Sequence, residues 1–156
     1  MSAGILDGKA LAGRIKEELR CKCGRLARAP QLAVVLVGED PASQVYVRGK
    51  EADCGECGIR SFPYRLPAET TQRELLDLIE KLNRDPAVDG ILVQLPLPEP
   101  LKEAAVIAAI APEKDVDCFH PYNVGRLNIG DPVFQPCTPA GVMEMLREYG
   151  ISHTFC

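Results

Sequence analysis

"QLAVVLVG", residues 31–38, is a short apolar run rich in β-branched residues, bounded by Pro30 on one side and by "GEDPAS" on the other. A run without polar alternation reads as a strand buried on both faces, and such strands belong to parallel sheets covered by helices. Upstream, residues 7–28, "DGKALAGRIKEELRCKCGRLAR", place Leu11, Ile15, Leu19 and Leu26 at helical spacing. Downstream, a helix is predicted to start near Ser43, which can cap it, and to stop at Gly58. "IRSFPYRL" is then a second strand, placed towards an edge because Pro63 has no N–H for the ladder.

Residues 70–85, "TTQRELLDLIEKLNRD", carry a threonine cap and a Leu75, Leu76, Ile79, Leu82 stripe, and "VDGILVQLPLP" follows as a third buried strand ending in prolines. Strand and helix alternate. This pattern predicts an α/β fold, a three-layer α/β/α domain with a mostly parallel sheet and right-handed crossovers. A short helix is expected at about residues 101–110, followed by a long stretch of turn chemistry, "APEKDVDCFHPYNVGRLNIGDPVFQPCTP". Loops of that length inside a compact domain commonly carry function. A last helix is expected from Thr138, its cap, with Pro139 at the first position. Residues 1–150 read as one domain and "ISHTFC", residues 151–156, as a truncated or divergent tail.

Composition narrows the partners. The 18 basic and 22 acidic residues of this 156-residue chain give a net charge of -4, and no basic run is long enough to follow a phosphate backbone, so nucleic acid is not expected. No apolar run reaches the roughly 18 to 20 residues that span a bilayer, so no membrane partner is expected and the address is cytoplasmic. The seven cysteines, Cys21, Cys23, Cys54, Cys57, Cys118, Cys137 and Cys156, are odd in number and scattered, unlike a disulfide framework. Cys54 and Cys57 form a C-x-x-C that could be a redox pair or half of a zinc site. Neither His120 nor His153 supplies a second pair, so no metal is expected and plain helix thiols are the alternative. There is no G-x-G-x-x-G after a strand, and Gly49-Lys50-Glu51 lacks the features of a phosphate loop, so no cofactor site is expected in this chain.

In parallel α/β sheets ligands gather beyond the carboxyl ends of the strands. Three segments should meet there: the helix after the first strand with Tyr46 and Lys50 one turn apart, the end of the third strand with Gln94, and the long loop with Asp115 and Asp117. An aromatic ring, an amide, a carboxylate and a lysine able to move protons would together suit a flat heterocycle. Each has a plainer alternative. Taken alone, Tyr46 and Lys50 read first as a surface pair on a solvated helix face, while Gln94 could satisfy backbone groups and Asp117 could pair with Lys114 or cap a turn. His120 reads as a structural histidine, and the cysteine of "PCTP" as part of a cap and of packing.

Four segments, "VGEDPASQVYVRGK", "DGILVQLPLP", "PEKDVDCFHPYNVGRL" and "FQPCTPAGVMEML", resemble in order and spacing the N-terminal catalytic domain of bifunctional methylenetetrahydrofolate dehydrogenase/cyclohydrolases. The resemblance implies interconversion of 5,10-methylene-, 5,10-methenyl- and 10-formyltetrahydrofolate by an NADP-dependent oxidation and a hydrolysis. It implies Lys50, Gln94 and Asp117 as catalytic residues, and Tyr46, Val47, Arg48, Gly49, Lys50, Val93, Gln94, Leu95 and Asp117 as the tetrahydrofolate-binding set. NADP belongs to the family's Rossmann domain, which this chain lacks, so NADP is not expected to bind this chain alone. Members of the family are homodimers. Cys118 stands where the family pattern has glycine, which implies a strained backbone if that glycine is left-handed.

Overall fold

A computed structural model describes residues 4–151. The expected tail lies, apart from Ile151, outside the described residues, as do His153 and Cys156. The strands are β1 (Gln31–Val37), β2 (Arg60–Leu66) and β3 (Gly90–Val93). The helices are α1 (Gly8–Cys23), α2 (Pro41–Cys57), α3 (Gln72–Arg84), α4 (Glu103–Ala109), α5 (Pro121–Asn128) and α6 (Cys137–Glu148), with a 3₁₀ turn at Pro112–Lys114. The sheet is parallel, in the order β2-β1-β3, with Val34 opposite Pro63 on one side and Leu92 on the other.

This order fixes the layers. The crossover through α2 steps from β1 to one side, and the crossover through α3 steps back past β1 to the other. With one handedness, that reversal puts the two helices on opposite faces. The two cores follow suit. Ala33, Val35 and Val37 of β1 pack with Leu75, Ile79 and Leu82 of α3 and with Val106 of α4. Val34 and Leu36 pack with Val47 of α2. Successive residues of β1 thus belong to different layers, which is why the run has no polar alternation.

Helix boundaries differ from the sequence expectation where a carboxylate competes for the cap. Asp40, not Ser43, caps α2: its Oδ2 accepts the Ser43 N–H at 2.7 Å, and Pro41 occupies the first turn. Gly58 ends α2 with φ 77°, the left-handed C-cap for which glycine is suited. The threonine cap of α3 is Thr71 in a capping box, with Oγ1 accepting the Glu74 N–H at 3.2 Å and Glu74 accepting the Thr71 N–H at 2.8 Å. β2 is an edge strand, as Pro63 required.

α1 ends at Cys23, short of residue 28, and only Leu11 of its apolar stripe is buried. β3 ends at Val93 because "LPLP" leaves the ladder, although the Gln94 N–H still reaches Val35 O at 2.8 Å. α6 begins at Cys137 behind Pro136 with no side-chain cap, so Thr138 does not have the expected capping role. The long stretch after residue 110 is also more ordered than turn chemistry suggested, since it contains the 3₁₀ turn and α5. α5 is short, contains Gly125 and opens on Pro121, so its periodic signal is weak. No helix among the described residues is long and apolar enough to cross a membrane.

Candidate functional site

The order β2-β1-β3 has its reversal between β1 and β3, and a crevice opens beyond their carboxyl ends. A cleft of about 630 Å³ lies there, bordered by Tyr46, Lys50, Asp53 and Cys54 of α2, by Val93 at the end of β3 and Gln94 and Leu95 after it, by Asp117 and Phe119, and by Cys137 and Thr138 of α6. Lys50 Nζ donates to Gln94 Oε1 at 3.3 Å, and Gln94 Nε2 donates to Leu95 O at 2.7 Å. Gln94 thus satisfies a backbone carbonyl through its Nε2 and contacts the lysine through its Oε1.

Asp117 faces the same cleft. Burial pushes its carboxyl up from the ordinary value; Lys50 opposes that shift and the neighbouring Asp115 adds to it. Lys114 is not its partner, because Lys114 Nζ donates to Leu82 O, Asn83 O and Asp85 O at the end of α3. The Cys137 thiol is pushed up by burial and by Asp117, with Lys50 acting against both. Cys54 is shifted the same way, chiefly by burial.

The structure brings Tyr46, Lys50, Val93, Gln94, Leu95 and Asp117 to one cleft. It does not bring Val47, Arg48 and Gly49 to the cleft wall. Val47 is fully buried against the sheet, while Arg48 and Gly49 are exposed elsewhere on α2. Tyr46 is 66% exposed, so that side of the cleft is open. His120 caps α5, its Nδ1 accepting the Tyr122 N–H at 3.1 Å. Cys54 lies one turn beyond Lys50 on the same face, a spacing that could have found it. Cys137 and Thr138 sit at the cleft rather than serving only in packing.

Two further residues support the site: Asp115, expected only as a member of the long loop, and Asn123, which had no sequence signal of its own. Asp115 and Asn123 are 2% and 1% exposed, and Asn123 Nδ2 donates to Asp115 Oδ2 at 2.9 Å. Cys118 has φ 58°, the left-handed conformation that the glycine of the family pattern suggested, and its Sγ lies 3.4 Å from Phe134 O. Gly90 of β3 has a different reason: a Cβ there would meet Val116 at 2.6 Å, so glycine lets the Asp117 segment lie against the strand.

A model of the tetrahydrofolate dehydrogenase/cyclohydrolase catalytic domain matches residues 6–117. The chain belongs to this family. Among relatives, it is 58% identical to the bifunctional protein FolD of Ruminiclostridium cellulolyticum, covering 97% of this chain and 54% of that protein. It is 61% identical to the FolD of Desulfovibrio desulfuricans, covering 94% and 53%. Among solved structures, the bifunctional FolD methylenetetrahydrofolate dehydrogenase/cyclohydrolase of Campylobacter jejuni superposes with a TM-score of 0.94 at 51% identity, covering 96% of this chain and 55% of that one. The FolD of Trypanosoma brucei, solved with NADP cofactor and inhibitor, gives 0.91 at 40% identity, covering 96% and 53%. This family member spans about half the length of the curated relatives it matches.

The residues of this family member do not fit a dinucleotide at either capped strand-to-helix turn. A pyrophosphate needs free helix N-terminal amides. Here the Asp40 carboxylate occupies that position on α2, and Glu74 with Thr71 occupies it on α3. Among the described residues no group of three or more His, Cys, Asp and Glu side chains could hold a metal ion.

Proposed function

We propose that residues 1–150 form a folate-binding domain that contributes the hydrolytic half of methylenetetrahydrofolate dehydrogenase/cyclohydrolase chemistry. Tyr46 stacks on the pterin and aminobenzoate, and Asp117 hydrogen-bonds the amino-pyrimidine edge. Val93 and Leu95 line the pocket through their backbone, while Val47, Arg48 and Gly49 form the helical turn that spaces Tyr46 from Lys50. Water adds to the methenyl carbon and Lys50 carries away one of its protons; the bond from that carbon to N5 then breaks as the remaining hydroxyl proton passes to N5, leaving 10-formyltetrahydrofolate. Gln94 fixes where that amine points. The reading rests on one observation, the 3.3 Å contact of Lys50 with Gln94 in the cleft that Asp117 also faces.

NADP-dependent oxidation is not assigned to this chain, since the turns that could hold a pyrophosphate are closed by Asp40 and Glu74. A second reading, a folate-binding chain without catalysis that pairs with a full-length relative, is favoured by the exposure of Tyr46. Following methenyltetrahydrofolate hydrolysis by absorbance, with Lys50→Ala as control, tests both. The expected result is a rate well below that of a full-length relative and dependent on Lys50. A turnover equal to the full-length enzyme, or one unchanged by Lys50→Ala, overturns the catalytic reading; binding without any turnover establishes the second.

A further inference from the structure

Asp117 sits on a turn rather than on a helix or strand, so something must hold it towards the cleft. The carboxylate two residues earlier does so. Asp115 Oδ1 accepts the Phe119 N–H at 3.3 Å, and Oδ2 accepts the His120 N–H at 2.9 Å and Asn123 Nδ2 at 2.9 Å. The backbone of Asp115 forms a bridge to Ile91 of β3, and Asn123 Nδ2 also donates to Pro112 O at 2.8 Å. Residues 112–123 thus close around a single buried carboxylate, with Asp117 in the part of the ring that reaches the cleft and the left-handed, buried Cys118 next to it. A carboxylate with this many donors is a rigid centre, because losing any donor leaves a buried charge less satisfied.

We infer that Asp115 and Asn123 are positioning residues for ligand recognition, acting through Asp117 by fixing the turn that carries it. Neither touches the cleft itself. The inference rests on the folate reading, because its effect is read through the grip of Asp117 on a pterin.

A double-mutant cycle tests it. Tetrahydrofolate binding is measured by calorimetry for the wild-type chain, Asn123→Ala, Asp117→Asn and the double variant, with the folded fraction of each checked by thermal unfolding. Asn123→Ala is chosen because it removes one donor and leaves the two backbone donors; Asp115→Asn serves as the stronger second variant. The expected result is a loss of about tenfold for Asn123→Ala in the wild-type background and less than about twofold in the Asp117→Asn background, the coupling expected of residues acting through one another. A merely structural role would weaken both backgrounds alike. Equal losses, or no loss in either, overturn the inference alone. A wild-type chain that does not bind tetrahydrofolate overturns the folate reading and this inference with it.

Discussion

Lys50 and Gln94 meet across the reversal of the sheet: Nζ lies 3.3 Å from Oε1 although 44 residues separate them in sequence. One comes from the helix after β1 and the other from the end of β3, the two elements that flank the crevice. Their contact makes the amide of Gln94 the part that aims the amine.

Gln94→Ala should therefore lower kcat for methenyltetrahydrofolate hydrolysis by roughly a hundredfold, the scale of a misplaced catalytic group, and change KM little. Steady-state kinetics check this. A rise in KM at constant kcat would make Gln94 a binding residue instead.

Tyr46 and Val47 are adjacent in sequence and opposite in role. Tyr46→Ala should weaken tetrahydrofolate binding by about tenfold and leave the unfolding midpoint unchanged, because an exposed ring adds little packing. Val47→Ala should cost about 2 kcal/mol in urea unfolding, as loss of fully buried methyl groups does, and leave the affinity of the folded fraction near that of the wild type.

The carboxyl of Asp117 is raised in the folded chain, first by burial and also by Asp115, against the opposing pull of Lys50. For an acid with a raised folded value, the native state holds the proton more tightly than the unfolded chain. Its contribution to stability is fully present below the unfolded carboxylate value of about 3.9 and is lost as pH rises through the folded value. Asp117→Asn should then raise the unfolding midpoint at pH 7, with the gain shrinking as the solution is acidified below the ordinary carboxylate range. Thermal unfolding between those pH values checks the sign, and a gain that grows on acidification would contradict it.

Cys118 offers a reversal of the usual glycine penalty. Cys118→Gly and Cys118→Ala both remove the sulfur that contacts Phe134 O, but only the first relieves the left-handed backbone at φ 58°. The glycine variant should be the more stable of the two by about 1 kcal/mol in urea unfolding. Equal stabilities would mean that the turn carries no strain.

The layers of the fold were legible because each strand and helix announces itself locally. The unbroken run of β1 required two covered faces, Pro63 required an edge, and a threonine cap marked the start of α3. Tyr46, Lys50, Gln94 and Asp117 were legible for the same reason, since the carboxyl end of a parallel sheet gathers whatever follows its strands. What stayed hidden depends on competition or on distance. Ser43 and Asp40 are both good caps, and only the folded turn shows that the carboxylate takes the position. Val47 has the same spacing from the cleft residues as any neighbour in a binding motif, and packing alone assigns it to the core. Asn123 reaches Asp115 from a short helix that its glycine and proline conceal.

The carboxylates of Asp40 and Glu74 have a consequence for selectivity. They place a negative charge at the strand-to-helix turns and take up a first-turn amide on α2 and the Thr71 amide before α3, so these turns are poor hosts for an anionic group. On the folate reading, recognition falls to a few side chains that reach in from α2, from the end of β3 and from the Asp115 turn. A descendant of this chain could exchange one flat ligand for another by altering those side chains alone, with the sheet beneath them unaware of the change.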